Sequence, residues 1–317
     1  MPPAEPWLLL AALVLEACIG YPQWLYSRIA HPVVWIGSLI EALERRWNDI
    51  SFADGARRLL GMVAVILVAG SAAAIGWIIQ TSAHRLPFGE WIVALIATTG
   101  LAQRSLYTHV NDVLRPLLLG DLQTARAAVA HIVGRDTEEL THAGVAAAAL
   151  ESLAESFNDG VVAPAFWLLV GGLPGLLAYK ALNTADSLIG HREPRWRMFG
   201  WAAARADDVV NLLPARIAGL LLAVAGGRGI RVMLRDAAKH SSPNAGWPEA
   251  AMAGALAVRL GGPATYDGTV HQRPVFGDGA VPNADDLARG LRTYVRACAL
   301  LWLLAAMLGL GSVLWQR

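Results

Sequence analysis

The run of residues 59–79 constrains the fold more than any other part of the chain. It is apolar and contains no charged residue, and it matches the ~20 residues with which a helix crosses the hydrocarbon core of a bilayer. A backbone inside lipid must satisfy its own hydrogen bonds, and a helix does so within a single segment. The run therefore predicts a membrane-spanning α-helix.

Other apolar runs extend this prediction along the chain. Residues 7–20 and 293–314 predict membrane helices near its two ends, and residues 91–101, 161–181 and 212–226 lie between them. The sequence is 55% hydrophobic and only 16% charged, whereas about a quarter of the residues in a soluble domain are charged. We therefore predict an all-α fold, that of a polytopic helical membrane protein.

The polar segments between these runs predict amphipathic and cytoplasmic helices. In residues 34–43 apolar side chains recur at helical spacing and charged residues follow, which is the pattern of an amphipathic helix on a membrane surface. Two longer blocks, at about 104–158 and 227–296, are soluble in character. We interpret them as cytoplasmic extensions of one integral membrane domain that covers residues 1–317.

The distribution of basic residues predicts the orientation in the membrane. Arg and Lys are frequent between the first two apolar runs, in both long blocks and in residues 180–205, whereas residues 84–90 form a short loop. Loops rich in Arg and Lys stay in the cytoplasm, so we expect residues 84–90 to lie outside. The formal net charge is only +1 and no basic stripe stands out, which argues against a nucleic-acid partner.

Between residues 151 and 216 polar side chains recur beside apolar sequence. They are acids, amides and bases, many of them at three- and four-residue steps that put them on shared helix faces. These residues are Glu151, Glu155, Asn158 and Asp159; Lys180, Asn183, Asp186 and Ser187; and Arg205, Asp207, Asp208 and Asn211. Ionisable groups at a membrane segment are unfavourable unless they serve a site, so we predict a functional site here. A solvated helix face at the membrane surface is the alternative.

A cluster of helix-breaking residues divides the run 161–181. Gly171, Gly172, Pro174 and Gly175 stand in its middle. This pattern predicts a broken or re-entrant helix, which a membrane tolerates where protein or a water-filled cavity covers the backbone. A turn back would return both flanks to one side of the membrane. An ordinary kinked span is the alternative.

The polar residues permit metal and phosphate chemistry. The sequence contains no G-x-x-x-x-G-K-[ST] loop, no G-x-S-x-G turn and no H-E-x-x-H motif. Clustered carboxylates suit Mg²⁺, which takes one or two of them and completes its shell with water and substrate phosphates. Lys180, Arg205 and Arg216 are bases that could neutralise those phosphates. We therefore predict chemistry on a phosphate-bearing substrate at the inner face of the membrane.

Two loops carry further candidates. Residues 236–262 begin with a polar loop that holds His240 and Asn244, and this loop is either an anion site at a helix N-terminus or an ordinary Pro/Gly-rich turn. In the GRDTEEL stretch Asp136 or Thr137, together with Glu139, is a candidate helix start. Beside it, Arg135 either holds a phosphate or pairs within the protein.

Six motifs stand in the order found in one protein family. They are HPVVWIG at His31, RDTEEL at Arg135, ESLAESFNDGVVAPAFW at Glu151, YKALNTADSLIGH at Tyr179, FGWAAARADDVVNLLPAR at Phe199 and SPNAGWPEAAMAGALAVRLGG at Ser242. From the first span to the final helix, the chain resembles the adenosylcobinamide-phosphate synthase family, also called cobinamide synthase, of cobalamin biosynthesis. It departs from the family pattern at Ser156, where an Asn is expected, and at Ala185, where a larger apolar residue is more usual.

The resemblance implies an ATP-dependent amide ligase in the bacterial inner membrane, with its active site facing the cytoplasm. Such a ligase joins the free propionate carboxylate of adenosylcobyric acid to the amine of aminopropanol or its O-phosphate. ATP is a co-substrate and Mg²⁺ the cofactor, because a carboxylate is a poor acyl donor until an acyl phosphate gives it a leaving group. Besides its substrates, the expected partners are membrane lipid and other enzymes that act on corrinoids.

On this basis we assign hypothetical roles to the site residues. The catalytic acids would be Glu151, Glu155, Asp207 and Asp208, and the metal ligands Asp159, Asp186 and Asp208. The residues that contact substrate or phosphate would be Lys180, Asn183, Arg205, Asn211, Arg216, His240 and Asn244.

Two other functions fit parts of the sequence. A Mg²⁺-dependent intramembrane prenyltransferase would also use acidic helices, and the run from Asp207 to Asn211 superficially fits one. Its second D-x-x-x-D motif is absent from the NTADS stretch. A corrinoid transporter or scaffold is the non-enzymatic alternative, in which the broken helix would line a substrate path.

Overall fold

The computed structural model describes residues 6–22, 28 and 30–315. Its α-helices, in chain order, are α1 (Pro6–Ile19), α2 (Pro32–Trp47), α3 (Asp54–Ala83), α4 (Gly89–Thr98), α5 (Gln103–Leu118), α6 (Leu122–Ala130), α7 (His142–Phe157), α8 (Ala163–Ile189), α9 (Trp201–Val210), α10 (Leu212–Ala225), α11 (Ile230–Asp236), α12 (Gly246–Leu256) and α13 (Ala284–Trp315). A π-helical turn (Asn158–Val162) joins α7 to α8, and a 3₁₀ turn (Ala237–Lys239) follows α11. The predicted all-α class is confirmed.

Several helices are long and apolar enough to cross a membrane. Within the described residues they are Asp54–Ala83, the run His142–Ile189 and Ala284–Trp315, with a fourth if the bent pair α9 and α10 counts as one span. The predicted span 59–79 lies inside α3. The last helix begins earlier than the predicted residue 293, because Asn283 caps it: Oδ1 of Asn283 accepts from the Asp286 amide at 3.0 Å.

The predicted break in the run 161–181 falls at Gly172. This residue has φ +62° and ψ −158°, a backbone conformation open essentially to glycine alone. A Cβ added at Gly175 would lie 2.6 Å from the main-chain oxygen of Trp167, although eight residues of straight helix rise about 12 Å. The chain therefore turns sharply at Gly172. Oε1 of Gln80 in α3 accepts a hydrogen bond from the Leu173 amide at 2.7 Å, which satisfies one donor that the break releases.

Contacts divide the chain into two compact units. Unit 1 comprises Met1–Ala102, Ala163–Asn211 and Ala305–Arg317, and unit 2 comprises Gln103–Val162 and Leu212–Leu304. The two blocks predicted from sequence, 104–158 and 227–296, both fall in unit 2.

The core of unit 1 packs small residues between α3, α8 and α9. Its members are Ile40, Ala64, Val65, Val68, Ala72, Ala181, Ala185, Ile189, Phe199 and Ala203. A Cβ at Gly61 would lie 1.9 Å from the main-chain oxygen of Phe199, so the glycine permits close approach, as small residues do at membrane helix interfaces. Ala185, one of the departures from the family pattern, belongs to this core.

Unit 2 combines helices with two very small sheets. β1 (Leu260–Gly261) pairs antiparallel with β4 (Val275–Phe276), and β2 (Ala264–Tyr266) pairs antiparallel with β3 (Thr269–His271). These strands are only two or three residues long and were not predicted from the sequence. They matter because they bring residues 261–276 against the polar side chains of α7.

The helix start predicted at Asp136 or Thr137 is wrong. Helix α7 begins at His142, and its N-cap is Thr141, whose side chain accepts from the Gly144 amide at 3.1 Å. Asp136 instead binds the turn between β2 and β3: its amide donates to the Thr265 oxygen at 2.9 Å, and its Oδ2 accepts from the Gly268 amide at 2.8 Å.

Candidate functional site

Unit 1 brings four of the predicted residues into one hydrogen-bonded network on α8 and α9. Asn183 donates to Oδ1 of Asp207 at 3.4 Å, and Asn211 donates to Oδ2 of Asp207 at 3.0 Å. Lys180 donates to Oδ1 of Asn183 at 3.4 Å, and the hydroxyl of Tyr179 donates to Oδ1 of Asn211 at 3.1 Å. Two amides therefore fix the orientation of the Asp207 carboxylate, and a lysine ammonium stands one residue further along the network.

Close packing at both ends of α9 holds this network in place. A Cβ at Gly200 would lie 1.6 Å from the main-chain oxygen of Ile189, so the start of α9 rests directly on the end of α8. At the other end, the Trp167 indole donates to the Val210 oxygen at 3.0 Å. The geometry of the amides is therefore set by backbone contacts as well as by the polar side chains.

His31 lies near the lysine of this network. Its Nδ1 accepts from the Val33 amide at 3.3 Å and so caps α2. Burial, and then the positive charge of Lys180, lower the pKa of His31 below its usual value. The residue therefore serves as a helix cap and stays neutral at pH 7.

The other predicted residues of unit 1 lie on the same two helices. Arg205 and Asp208 form an ion pair at 3.1 Å, three residues apart on α9, and the Arg205 side chain is largely exposed. Asp186 is half-buried near the end of α8, where a Cβ at Gly190 would lie 1.9 Å from its Oδ1. Two residues to which we gave different roles, Arg205 and Asp208, are thus in direct contact.

In unit 2 the predicted acid Glu151 is the centre of a buried ion cluster. Its Oε2 accepts from Nη2 of Arg135 and, at 2.9 Å, from Nη1 of Arg273. Its Oε1 accepts from the Gly261 amide at 2.7 Å. The internal pairing left open for Arg135 is therefore what the structure shows. A carboxylate with three donors at 3% exposure orients both guanidinium groups.

The small sheets explain how these partners reach Glu151. The β1–β4 pair presents the Gly261 amide and holds the chain just after Arg273. The hydrogen bonds of Asp136 to the β2–β3 hairpin fix the residue next to Arg135. Buried charges are tolerated when they are paired and hydrogen-bonded. Arg135, Glu151 and Arg273 lie on three separate segments of the chain, and each is paired within the cluster.

A second acid, Glu249, lies beside the cluster and was not predicted. It is 1% exposed. Its Oε1 lies 3.7 Å from Nε2 of His240, and its Oε2 lies 3.6 Å from Nη2 of Arg273. Burial, and then the negative charges of Glu155 and Glu151, raise the pKa of Glu249 well above its usual value. This side chain therefore holds a proton where ordinary carboxyl groups are ionised.

The loop before α12 brings two further predicted residues together. Nη1 of Arg216 donates to Oδ1 of Asn244 at 2.8 Å, and its guanidinium carbon lies 4.6 Å from the centre of the Trp247 ring. His240, in the same loop, accepts at Nδ1 from the Ser242 amide at 2.9 Å and stacks on Phe276. The pairing of Arg216 with Asn244 required the chain to fold, since 28 residues separate them.

The residues at the end of α7 complete the predicted set. Glu155 is exposed, and Asp159 is half-buried on the π-helical turn. Nδ2 of Asn158 donates to Oδ1 of Asp159 at 2.7 Å. Single π turns often accompany functional sites, and this one redirects the side chains that follow Glu155.

The acids of each unit do not form a metal cage by themselves. Within the described residues no group of three or more His, Cys, Asp and Glu side chains is arranged to hold a metal ion. Mg²⁺ does not need one, because it commonly binds through one or two carboxylates together with substrate phosphates and water. A magnesium site built on one or two of these carboxylates therefore stays a prediction.

Sequence reasoning missed three residues of these networks. Tyr179 is aromatic and stands in an apolar helix, so it resembled a core residue. Glu249 occurs in the first turn of α12, where an acid is ordinary helix chemistry. Arg273 lies 122 residues from its partner Glu151, and no local pattern connects the two.

The chain is similar to known proteins over nearly its whole length. The family model described as "CobD/Cbib protein" matches residues 9–294. A Rhodobacter capsulatus protein named "Cobalamin biosynthesis protein CobD" is 49% identical over 313 residues, which cover 98% of each chain.

Other relatives carry the same name. One from a Sinorhizobium species is 46% identical and covers 93% of this chain and 95% of its own. One from Rhizobium meliloti is 42% identical and covers 93% of this chain and 94% of its own. Comparison with solved structures finds no match.

Proposed function

The chain belongs to the CobD/Cbib protein family, and from this premise we propose that it catalyses an amide-forming step of cobalamin biosynthesis. The observation that carries the proposal is the extent of the family match, because residues 9–294 include every predicted site residue. The proposed reaction joins the propionate carboxylate of adenosylcobyric acid to the amine of aminopropanol or its O-phosphate. ATP is the proposed co-substrate.

The proposed chemistry has two steps. The substrate carboxylate attacks the γ-phosphorus of ATP, so that an O–P bond forms, the bond to the β-phosphate oxygen breaks and ADP leaves. The amine nitrogen then attacks the acyl carbon, a C–N bond forms, the C–O bond to phosphate breaks and inorganic phosphate leaves. A base takes the proton that the amine loses. Both steps are balanced without any further reactant.

The network of unit 1 supports an acid–base and phosphate-binding role. We propose Asp207 as the base, because Asn183 and Asn211 hold its carboxylate in one orientation. Lys180 supplies positive charge beside it, where a phosphate would be attracted. Asp208 and Arg205 would have to separate from each other to bind a metal ion and a phosphate.

In unit 2 the geometry favours an anchoring role for Glu151. Its carboxylate holds Arg135 and Arg273, and we propose their other N–H groups as contacts for an anionic substrate group. Arg216 and Asn244 form a second such pair, and His240 stands beside the protonated Glu249. When bound, Mg²⁺ would offset charge on the phosphates. Asp186 and Asp208 in unit 1 remain proposed ligands, and Asp159 is a separate candidate in unit 2.

A turnover assay on the purified protein in detergent tests the proposal. We expect steady-state ADP release that requires both adenosylcobyric acid and the amine, and a corrinoid product whose mass corresponds to the amide. Chelation of Mg²⁺ should stop it. Running free aminopropanol and its O-phosphate in parallel identifies the amine substrate.

The alternatives give different results in the same preparation. Diphosphate release without ATP consumption would indicate prenyl transfer. Corrinoid uptake into vesicles without any turnover would indicate transport. Either result would overturn the ligase proposal.

A further inference from the structure

We propose that unit 1 carries a binding site for the phosphate group of an anionic phospholipid, formed by Arg45, Arg57 and Arg195. The inference is independent of the ligase proposal, because none of these residues belongs to the networks described above.

The site is an open pocket of about 700 Å³ between the end of α2, the start of α3 and the segment before α9. All three arginines line it, together with one carboxylate, that of Asp49. Arg45 also lies 3.6 Å from Glu41, but both side chains are more than half exposed, and such surface pairs are weak. The three arginines thus face two close carboxylates, Asp49 in the pocket and Glu44 paired with Arg195, which leaves an excess of positive charge.

Arg57 is the residue that most requires a counter-charge. It is only 5% exposed. Its acceptors are Oδ1 of Asn48, at 3.1 Å from Nε and 2.9 Å from Nη2, and the main-chain oxygen of Arg195. Both hydrogen-bond acceptors are neutral, and the carboxylate that acts on Arg57 electrostatically, that of Asp49, is exposed to solvent. The charge of this buried guanidinium is therefore only partly compensated, and an anion in the pocket would complete the compensation.

Two of the three arginines, Arg57 and Arg195, are held in place by protein contacts. Arg195 forms a two-bond pair with Glu44, with both distances at 2.9 Å. Nδ2 of Asn48 donates to Oε1 of Glu44 at 2.9 Å and to the Arg195 oxygen at 3.0 Å. This arrangement links Arg57 and Arg195 through one amide, and the rigid forks of two guanidinium groups suit phosphate oxygens.

The surroundings favour a lipid over a soluble phosphate. Ile50 lines the same pocket and is 78% exposed, and Phe52 beside it is 44% exposed. The spanning helix α3 begins at Asp54 and exposes Leu59 and Ile66. With α3 as a membrane span, the arginines would stand where this helix enters the headgroup region, and basic pockets beside membrane helices bind anionic headgroups.

Neighbouring tryptophan side chains also favour a position of this region at the membrane–water interface. The Arg58 guanidinium lies 5.1 Å from the centre of the Trp201 ring, and that of Arg195 lies 5.4 Å from the Trp196 ring. Tryptophan is enriched at membrane–water interfaces. A phosphate at this level needs no displacement of the protein into the bilayer.

The test measures lipid binding by native mass spectrometry of the protein in detergent. We expect wild type to bind phosphatidylglycerol more tightly than phosphatidylcholine. Arg45→Gln should weaken phosphatidylglycerol binding about fivefold, which corresponds to about 1 kcal/mol for one arginine near a membrane surface. Arg46→Gln is the matched control, since Arg46 is an exposed neighbour that does not line the pocket, and it should bind as wild type does.

Arg57→Gln is the second variant, with folding checked by size-exclusion chromatography, and it should lose more affinity than Arg45→Gln. Equal losses in Arg45→Gln and Arg46→Gln would overturn the proposal, because they would show a general charge effect. Inorganic phosphate is the competing arm. If it saturates the pocket while phosphatidylglycerol shows no preference over phosphatidylcholine, the site binds a soluble phosphate and the lipid proposal fails.

Discussion

The hydroxyl of Tyr179 donates to Oδ1 of Asn211 at 3.1 Å, and both side chains are only 1% exposed. Because Asn211 also holds Asp207, the hydroxyl positions the proposed base through the amide. Tyr179→Phe keeps the ring and removes this bond, which is worth about 1 kcal/mol. We expect turnover to fall about fivefold. Tyr107→Phe, at an exposed position of α5, is the control, and equal rates in both variants would exclude the positioning role.

Replacing each acid of α9 by the corresponding amide tests the two carboxylates one at a time. Asp207→Asn and Asp208→Asn keep the size of the residue and remove its charge. Loss of a charged contact made in the transition state lowers the rate by about 10²–10³, and we expect this fall in kcat for both. Asp112→Asn, at an exposed position, should retain the wild-type rate. Turnover close to wild type in the Asp208 variant would remove that acid from the site.

The sequence predicted those contacts of the site that lie within one helix. Lys180 with Asn183, and Asp207 with Asn211, follow from three- and four-residue steps. The break in α8 could also be predicted, because its glycines and proline are local signals. What it could not supply are contacts between distant segments. The contacts of Glu151 with Arg273 and of Tyr179 with Asn211 depend on how the chain packs. The local sequence around each of these residues resembles that of an ordinary core or surface position, so it does not reveal the contact.

The same distinction explains the wrong helix start at Asp136 or Thr137. Asp136 and Thr141 are both good capping residues, so local chemistry could not choose between them. The hairpin that binds Asp136 forms from residues more than a hundred positions later, and its strands are too short to produce an alternating pattern. Tertiary pairing therefore decided where α7 begins.

The turn at Gly172 is tested by two adjacent glycines. Gly172→Ala should destabilise the protein by about 1–3 kcal/mol, because the backbone conformation there is almost restricted to glycine. Gly171→Ala is the control, since a Cβ at that position meets nothing within 4 Å. Thermal unfolding in detergent measures the difference. Equal melting temperatures for the two variants would contradict the sharp turn.

The orientation predicted from the basic loops can be tested by cysteine labelling in intact cells. In a variant without Cys18 and Cys298, Pro87→Cys should react with a membrane-impermeant maleimide, because the short loop is expected outside. Glu193→Cys, in a basic segment, should react only after the cells are opened. Both positions are exposed on the protein, so burial does not explain a difference. Outside labelling of Glu193→Cys would invert the topology and the proposed cytoplasmic site.

The protonated Glu249 predicts a pH dependence of stability. Its pKa in the folded protein is raised above the usual value of 4.5. Between pH 4.5 and this raised pKa, the folded state therefore binds more protons than the unfolded state. Stability must then fall as the pH rises through this interval. Burial is the largest cause of the raised pKa, and the negative charges of Glu155 and Glu151 add to it, whereas the positive charges of Arg273 and Arg135 oppose it.

Glu249→Gln removes this ionisation while keeping the size of the side chain. We expect its melting temperature to depend less on pH than that of wild type over the range from about pH 5 to 8, with the largest gain at the alkaline end. Glu139→Gln, at an exposed position of the same unit, should follow the wild-type curve. If the Glu249 variant also follows that curve, Glu249 is ionised in the folded protein, and its proposed place as a protonated neighbour of His240 is lost.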